Sequence, residues 1–126
     1  MVASVQYMNT SALETDLRTL QMLAEQPQIN QRELASQLGV SLGKANYCLK
    51  MLLAKGLLKA HNFKNSKNKL AYAYVLTPAG ISARAELTTE FLQVKLQEYQ
   101  RIGSQIAALK AQAALDAAAF GEKANA

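Results

Sequence analysis

The sequence predicts a mainly α-helical protein with one small β-hairpin (α+β), in which the last of four helices is long. Three observations predict this fold class: leucines recur at helical spacing before residue 54, the period changes to two between residues 57 and 76, and a heptad pattern follows Pro78. The chain has 126 residues, of which 50% are apolar and 18% are charged. Such a chain holds one modest domain, or one domain with an appended segment.

Three helices are predicted before the hairpin. An apolar stripe predicts the first over residues 11–26, and Pro27 ends it. Asn30, with Glu33 three residues later, is a capping-box variant that begins a helix of about two turns, which Gly39 ends. Ser41 caps the third helix, which ends at Gly56. We expect these helices to bury the following residues: Leu13, Leu17, Leu20, Leu23, Ala24, Leu34, Ala35, Leu38, Ala45, Cys48, Leu49, Leu52 and Leu53.

The hairpin and the last helix follow. Residues 57–63 and 70–76 are predicted strands, and the Lys, Asn and Ser residues of 64–69 form a basic turn between them. Thr77 then caps a helix that has Pro78 at its first position and runs to about residue 114.

A heptad seam in the last helix predicts a homodimer. A helix of this length has more apolar surface than the small preceding domain covers, and a second copy is the simplest partner. The alternative is a helix that folds back on its own domain, which Phe91, Val94 and Leu96 off the seam favour. The predicted dimer interface is Ile81, Ala85, Leu92, Tyr99, Ile102, Ile106 and Leu109.

Positive charge is concentrated in the middle of the chain. The chain has 14 Lys and Arg against 9 Asp and Glu, a net charge of +5, and no acidic residue lies between Glu33 and Glu86. Such a segment attracts polyanions, chiefly nucleic-acid phosphates, although charge alone leaves open a solvated lysine-rich surface. The basic residues in this segment are Lys44, Lys50, Lys55, Lys59, Lys64, Lys67, Lys69 and Arg84.

Residues 31–50 fit the spacing of a helix-turn-helix motif. Ala35 is small enough for two helices to approach closely, and Gly39 permits the tight turn. Val40, Ala45 and Cys48 fill the angle between the helices. With the basic hairpin and a further helix, the element order is that of a winged helix-turn-helix, whose hairpin is the wing.

In that architecture, the N-terminal residues of the motif's second helix contact base edges in the major groove. Asn46 suits a bidentate contact with adenine, Lys44 a contact with guanine and Leu42 a contact with a thymine methyl group. Gly43 allows the backbone to approach closely. The predicted base-reading residues are Leu42, Gly43, Lys44, Asn46 and Tyr47.

A second set of residues is placed to contact phosphates, where contacts position the protein without reading sequence. For Tyr47 and Lys50, packing on a neighbouring helix and simple solvation respectively remain open. Lysines in the wing act as point charges on the DNA backbone. The predicted backbone-contacting residues are Gln31, Ser41, Lys50, Lys64, Asn65, Lys67, Asn68 and Lys69.

The sequence offers no enzymatic, cofactor or metal site. It shows no nucleophile paired with a base, no phosphate-binding loop and no paired acids. Cys48 is the lone cysteine and fits an inert buried thiol, and His61 fits an ordinary strand residue. Neither a membrane-spanning run nor a signal peptide is recognisable, so we expect a cytoplasmic protein without a membrane partner.

Over residues 13–109 the chain resembles the MarR-type winged helix-turn-helix transcriptional regulators. The resemblance lies in RELASQLGVS over residues 32–41, LLAKGLL over residues 52–58 and NFKNSKNKLAYAYVLTPAG over residues 62–80. The wing and the Glu98-Tyr99 pair resemble the exopolysaccharide-associated branch, which is encoded with capsule or exopolysaccharide genes. This implies a dimeric regulator of such genes. The wing lacks the Asp and Arg pair of the larger family, and one long helix replaces the domain in which many relatives bind phenolic effectors.

These observations predict four segments: a flexible N-terminus (1–10), a winged helix-turn-helix DNA-binding domain (11–77), a coiled-coil dimerisation helix (78–115) and a flexible tail (116–126). We expect a transcriptional regulator that binds a pseudo-palindromic double-stranded DNA operator as a homodimer. The alternative is a protein-interaction module assembled through its coiled coil. A third hypothesis is a ligand-gated sensor, for which the sequence indicates no effector.

Overall fold

The computed structural model describes residues 10–64, 67 and 70–125, with side chains up to Glu122. These residues form four helices and one antiparallel hairpin, which confirms the predicted fold class. The chain divides into two compact units, the first ending at Phe91 and the second beginning at Leu92. The elements are α1 (Thr10–Glu25), α2 (Gln31–Leu38), α3 (Leu42–Ala54), β1 (Leu58–Lys64), β2 (Leu70–Leu76) and α4 (Pro78–Asn125). Apart from Thr10, the predicted flexible N-terminus lies outside the described residues.

The short helix α2 is closed at both ends by the residues that the sequence indicates. The Asn30 side chain accepts the Glu33 N–H at 2.8 Å. Gly39 has a φ of 71°, and the N–H groups of Gly39 and Val40 donate to carbonyls in the last turn of α2 at 3.2 and 3.0 Å. This paired arrangement is the Schellman motif, which needs the left-handed conformation that glycine adopts without strain.

Arg18 of α1 satisfies two further carbonyls at the end of α2. Its Nη2 donates to the Gln37 carbonyl at 2.7 Å, and its Nη1 donates to the Leu38 carbonyl at 3.3 Å. The last carbonyls of a helix have no partner within the helix and carry the negative end of its dipole. A guanidinium at this place therefore joins α1 to the turn of the helix-turn-helix motif.

Helix α3 has a matching pair of caps. The Ser41 hydroxyl accepts the Lys44 N–H at 3.1 Å. At the other end, Gly56 has a φ of 74°, and the N–H groups of Gly56 and Leu57 donate to carbonyls in the last turn, both at 3.0 Å. The first strand therefore begins at Leu58 rather than Leu57, because Leu57 belongs to the helix cap.

Leucines of the first three helices form the centre of the core, with Leu20 and Leu52 both 0% exposed. Burying a leucine stabilises a fold by about 1.5–3 kcal/mol. Two positions differ from the predicted core, because Ala24 is exposed and Leu53 is half-buried. Thr19, which was not predicted, is buried on α1. The Thr19 hydroxyl donates to the Thr15 carbonyl at 2.7 Å, so its burial leaves no unsatisfied polar group. The other buried apolar residues are Leu13, Leu17, Leu23, Ile29, Leu34, Ala35, Leu38, Ala45, Cys48, Leu49, Leu57, Leu58, Ala73, Ala83 and Leu87.

The two strands pair in an antiparallel register that runs from Leu58 opposite Leu76 to Lys64 opposite Leu70. Strand β2 has the bounds that the sequence predicts. Ala73 is buried, α1 packs against β2, and the Tyr74 N–H donates to the Pro27 carbonyl at 3.0 Å. The base of the hairpin is thereby fixed to the helical core.

Helix α4 begins in close contact with the Leu57 backbone. The Thr77 hydroxyl accepts the Gly80 N–H at 3.0 Å and donates to the Gly56 carbonyl at 2.6 Å, which confirms Thr77 as a cap. A Cβ at Gly80 would overlap the Leu57 carbonyl oxygen, so this approach needs glycine. One and two turns later, Ala83 and Leu87 are both 2% exposed.

The far end of α4 differs from the prediction. The helix continues to Asn125, past the predicted end near residue 114 and through most of the predicted tail. Residues 107–119 are rich in alanine, the strongest helix former, and contain no proline. The compact first unit also includes the start of α4, because Gly80, Ala83 and Leu87 pack on the preceding domain.

Candidate nucleic-acid interface

The two faces of α3 have different environments. Ala45, Cys48, Leu49 and Leu52 are buried against the first unit. The opposite face carries the five predicted base-reading residues, of which four are exposed and Asn46 is half-buried. This arrangement follows from the helical period, because the apolar positions recur every three or four residues and leave the positions between them outside.

Tyr47 and Lys50 both lie on the outside of α3. The Tyr47 side chain is 65% exposed, so it is not packed into the core of the first unit. Lys50 is also exposed. Met51 is an exposed apolar residue that the sequence analysis did not place on this face. The outer face of α3 thus combines hydrogen-bonding groups and positive charge with some apolar surface.

The predicted phosphate-contacting residues Ser41 and Gln31 lie at helix N-termini. Ser41 uses its oxygen as the N-cap of α3, which leaves its O–H available as a donor. Gln31 is half-buried at the first position of α2. It lines a cavity of about 190 Å³ together with Asn30, Tyr72 and Tyr74. The start of α2, which carries the positive end of the helix dipole, therefore lies next to β2.

The basic residues of the middle segment are on the surface. Lys44, Lys50, Lys55, Lys59, Lys64 and Lys67 are exposed, and Arg84 is half-buried on α4. Neither α3 nor the two strands contain an acidic residue. The wing residues Asn65, Asn68 and Lys69, which are predicted backbone contacts, lie outside the described residues.

The hairpin has an exposed face that the sequence analysis did not single out. Leu70 and Tyr72 are 69% and 59% exposed, and they pair with Lys64 and Asn62 across the strands. Paired residues of an antiparallel sheet lie on the same face. The alternation of Leu70, Tyr72 and Tyr74 along β2 was the available signal, because it places all three side chains on one side of the strand.

Cys48 belongs to a small polar cluster between α1 and α3. Its thiol donates to Asp16 Oδ1 at 3.2 Å and lies 3.6 Å from the Thr19 hydroxyl. Burial, together with the nearby Asp16 carboxylate, raises the pKa of the Cys48 thiol to about 12. The thiol is therefore protonated at neutral pH and is a poor nucleophile.

His61 is exposed on β1, opposite Ala73. Among the described residues, no three His, Cys, Asp or Glu side chains lie close enough together to hold a metal ion. Nor, in the same part of the chain, does any helix combine the length and hydropathy that a membrane span needs.

The predicted dimer residues of the second unit form an exposed face on α4. Leu92, Tyr99, Ile102, Ile106 and Leu109 are between 47% and 77% exposed. In the first unit, Ile81 and Ala85 are exposed as well, whereas Ala83 and Leu87 turn inward. The heptad seam and the core-facing stripe are therefore two different faces of one helix.

Residues 13–59 match the family model described as winged helix-turn-helix DNA-binding. This span covers most of α1, the helix-turn-helix pair and the start of β1. Together with the hairpin that follows, it defines the class of the first unit as a winged helix-turn-helix. No curated protein sequence matches the chain.

Solved structures with this fold include MarR-family regulators. The zinc-dependent MarR-family transcriptional regulator AdcR is 24% identical with a TM-score of 0.52, and the match covers 81% of this chain and 65% of AdcR. ZitR from Lactococcus lactis, solved in complex with DNA, is 24% identical with a TM-score of 0.55, over 82% of this chain and 64% of ZitR.

TA0346 from Thermoplasma acidophilum is 19% identical with a TM-score of 0.60, over 74% of this chain and 93% of TA0346. This chain spans about two thirds of the length of AdcR. At these identities the likeness establishes a shared fold.

Proposed function

We propose that this protein is a MarR-type transcriptional regulator that binds double-stranded DNA through α3 and the wing. The observation that carries the proposal is the outer face of α3, which is exposed, polar and basic at its N-terminal end. In a winged helix-turn-helix this end of the helix enters the major groove. ZitR, which shares the fold, has been solved in complex with DNA.

The proposal assigns base reading to Leu42, Gly43, Lys44, Asn46 and Tyr47. Asn46 is the sharpest assignment, because a carboxamide makes a bidentate contact with adenine that no other base offers. Its half-buried position restricts the side chain and lowers the entropy lost on binding. Backbone contacts are assigned to Gln31, Ser41, Lys50, Lys64, Asn65, Lys67, Asn68 and Lys69, since basic and hydroxyl groups position a protein on phosphates.

The proposal includes a homodimer formed through α4. The exposed apolar face of the second unit supports it, because exposed apolar surface of this extent marks an interaction site. A two-fold dimer binds a pseudo-palindrome, and half-sites in this class lie about 34–36 Å apart or at multiples of that distance.

Fluorescence anisotropy tests the DNA-binding proposal. The protein is titrated with DNA from upstream of its own gene and with random duplex of equal length, across a salt series. Specific binding is typically about 10³–10⁷ tighter than non-specific binding, so the two cases separate well. Equal affinity for both DNAs contradicts the proposal for this upstream region. If duplexes selected from a random library also bind no more tightly than random duplex, the proposal fails altogether.

Two variants separate the sequence-specific part of the DNA affinity from the electrostatic part. Asn46→Ala should cost about 1–3 kcal/mol, with loss of preference at one base position. Lys67→Ala should weaken binding to all sequences alike and lower the salt slope by about one. Arg101→Ala, which removes one exposed charge from the second unit, is the matched control and should leave DNA affinity unchanged. Equal losses on cognate and random DNA for Asn46→Ala would remove that residue from the base-reading set.

A protein-interaction module is the second candidate, and the exposed apolar residues of α3 favour it. Leu42, Tyr47 and Met51 are 44%, 65% and 38% exposed. In the DNA proposal Leu42 contacts a thymine methyl group and Tyr47 a base edge. This second candidate is supported if the affinity of the unmodified chain, for selected and for random duplex alike, is no higher than that of the Asn46→Ala variant.

We extend the proposal to the control of exopolysaccharide or capsule genes. The support is the wing sequence NFKNSKNK and the Glu98-Tyr99 pair, which resemble that branch of the MarR type. The extension predicts polysaccharide biosynthesis genes beside this gene and a change in surface polysaccharide when the gene is deleted. The extension is contradicted if the bound DNA site lies away from polysaccharide genes and the polysaccharide level is unchanged by the deletion. That result leaves the DNA-binding proposal intact.

A further inference from the structure

The exposed face of α4 carries a pattern of charge as well as of apolar residues. Because the helix continues to Asn125, the heptad seam extends by two steps to Asp116 and Phe120. Both side chains are exposed. In heptad terms, the a positions of the second unit are Leu92, Tyr99, Ile106, Ala113 and Phe120, and the d positions are Lys95, Ile102, Leu109 and Asp116.

A parallel homodimer would place each of these residues against its own copy. Two Lys95 ammonium groups would then share one layer of the seam, and two Asp116 carboxylates would share another. Glu98, 3.2 Å from Lys95, offsets part of the first repulsion. Gln112 donates to Asp116 at 2.8 Å but is uncharged, so it does not offset the second. Two like-charged layers therefore oppose the parallel pairing.

We propose that α4 pairs with a second copy of itself in an antiparallel orientation, with Tyr99 facing the partner's Asp116. In antiparallel coiled coils, a positions pack against d positions of the other helix. The register that places Tyr99 against Asp116 also places Lys95 against the partner's Phe120. The phenol donates a hydrogen bond to the carboxylate, and the ammonium lies over the aromatic ring. This inference rests on the homodimer of the proposed function.

The remaining layers of this register are apolar. Ile106 packs against the partner's Leu109, and Ile102 packs against the partner's Ala113. All four types of layer share one two-fold axis between residues 107 and 108, so the pairing is self-complementary, as a closed dimer requires. The partner's Asp116 is also one turn from its Phe120 and so adjacent to Lys95, which pairs the two charges across the interface.

Neighbouring antiparallel registers are less favourable. A shift of one heptad in one direction places Asp116 against Leu92, and a shift of one heptad in the other direction places Asp116 against Ile106. Each shift buries the Asp116 carboxylate against an aliphatic side chain without an opposite charge beside it, which costs free energy. The charge pattern therefore selects a single register.

Disulfide cross-linking tests the pairing on the full-length chain. In the proposed dimer the two copies of residue 99 are about 26 Å apart along the axis, at 1.5 Å per residue, whereas residue 99 faces residue 116 of the other copy. A disulfide requires Cα atoms within about 7 Å. Tyr99→Cys alone and Asp116→Cys alone should therefore stay reduced under mild oxidation, and an equimolar mixture should form the 99–116 cross-link.

Two controls accompany the cross-linking. The unmodified chain tests for background from the buried Cys48, and a mixture of Arg101→Cys with Asp116→Cys places one thiol off the seam; neither should cross-link. A self-cross-link of Tyr99→Cys overturns the proposal in favour of a parallel pair. No cross-link in the mixture, at a concentration where sedimentation shows dimers, also overturns it, as does a chain that sediments as a monomer throughout.

A charge exchange gives an independent readout. Lys95→Glu should raise the dimer dissociation constant by about tenfold, because residue 95 lies next to the partner's Asp116, and Lys95→Glu with Asp116→Lys should restore it. A parallel pair shows no such rescue. If the chain dimerises and selects DNA but shows no rescue, only this pairing fails. If the rescue occurs while DNA binding is non-specific, the pairing stands and the proposed function fails.

Discussion

The two units of this chain differ in how far they bury apolar side chains, although one helix runs through both. Ala83 and Leu87 of α4 are 2% exposed in the first unit, whereas Leu92 and Leu109 of the same helix are 54% and 68% exposed in the second. The first unit completes its core with its own residues. The second unit leaves a regular apolar face that a single chain does not cover. The buried apolar residues therefore stabilise the fold, and the exposed ones are left for a partner.

The largest expected contrast between the units comes from leucine truncation. Leu52→Ala should lower the free energy of unfolding by about 2.7–5.0 kcal/mol, because it removes contacts at a site that is 0% exposed and leaves a cavity. Leu109→Ala should change it by less than about 0.5 kcal/mol in dilute, monomeric solution. Urea unfolding followed by circular dichroism measures both, and equal losses would contradict the contrast.

Two glycines of α4 give the next contrast. Gly80→Ala should destabilise the first unit by about 1–3 kcal/mol, because the new methyl group overlaps the Leu57 carbonyl. A Cβ at Gly103 meets nothing within 4 Å. Gly103→Ala should therefore stabilise the helix by about 0.8–1.0 kcal/mol. Opposite shifts of the melting temperature are the expected result, and a neutral Gly80→Ala would contradict the close contact.

A smaller effect is expected from Arg18. Arg18→Ala should cost about 1–2 kcal/mol, since it removes two hydrogen bonds from the carbonyls at the end of α2. Arg18→Lys keeps the charge without the paired donors and should recover part of the loss. Arg101→Ala in the second unit is the matched control and should be neutral. The unfolding free energies of the three variants, measured in the same buffer, decide whether the guanidinium has this role.

The smallest expected effect concerns Cys48, whose pKa of about 12 in the folded chain is raised from an ordinary value of 9.0. Below about pH 9 the thiol is protonated in folded and unfolded chains and does not change stability. Between pH 9 and about 12 the thiol is ionised in the unfolded chain but still protonated in the folded chain. The free energy of unfolding therefore falls as the pH rises through this range. At pH 8, iodoacetamide should modify the Arg101→Cys variant at residue 101 and leave Cys48 unmodified in the native state. Rapid alkylation of Cys48 would contradict its buried hydrogen-bonded environment.

Local signals in the sequence predicted most of the fold. Asn30, Gly39, Ser41 and Thr77 cap helices as predicted, because capping depends on side chains within a few residues of the helix end. The end of α4 was predicted too early, because an alanine-rich run has strong helix propensity but no apolar periodicity to indicate it. Long-range contacts were also missed. Nothing local to Arg18 indicates that it reaches α2, and nothing local to Gly80 indicates the Leu57 carbonyl.

The candidate site was predictable to a similar degree. The helical period alone separates the exposed face of α3 from its buried face. The exposure of Tyr72 and Leu70 depends on the register of the hairpin, which aligns them with Asn62 and Lys64. Under the proposed function, the bases that the outer face of α3 would contact depend on a DNA sequence, and that information does not lie in the chain.

The two faces of α3 have a consequence for redesign. The residues that hold the helix in place are on its inner face, and they include Cys48, whose thiol is hydrogen-bonded to Asp16. The Ser41 and Gly56 caps are at the two ends of the helix. Positions 42, 44, 46, 47 and 50 are outside this support. A combinatorial library that varies these five positions should therefore retain the fold in most members. If the proposed function holds, selection from such a library would yield proteins with altered DNA preference on an unchanged scaffold.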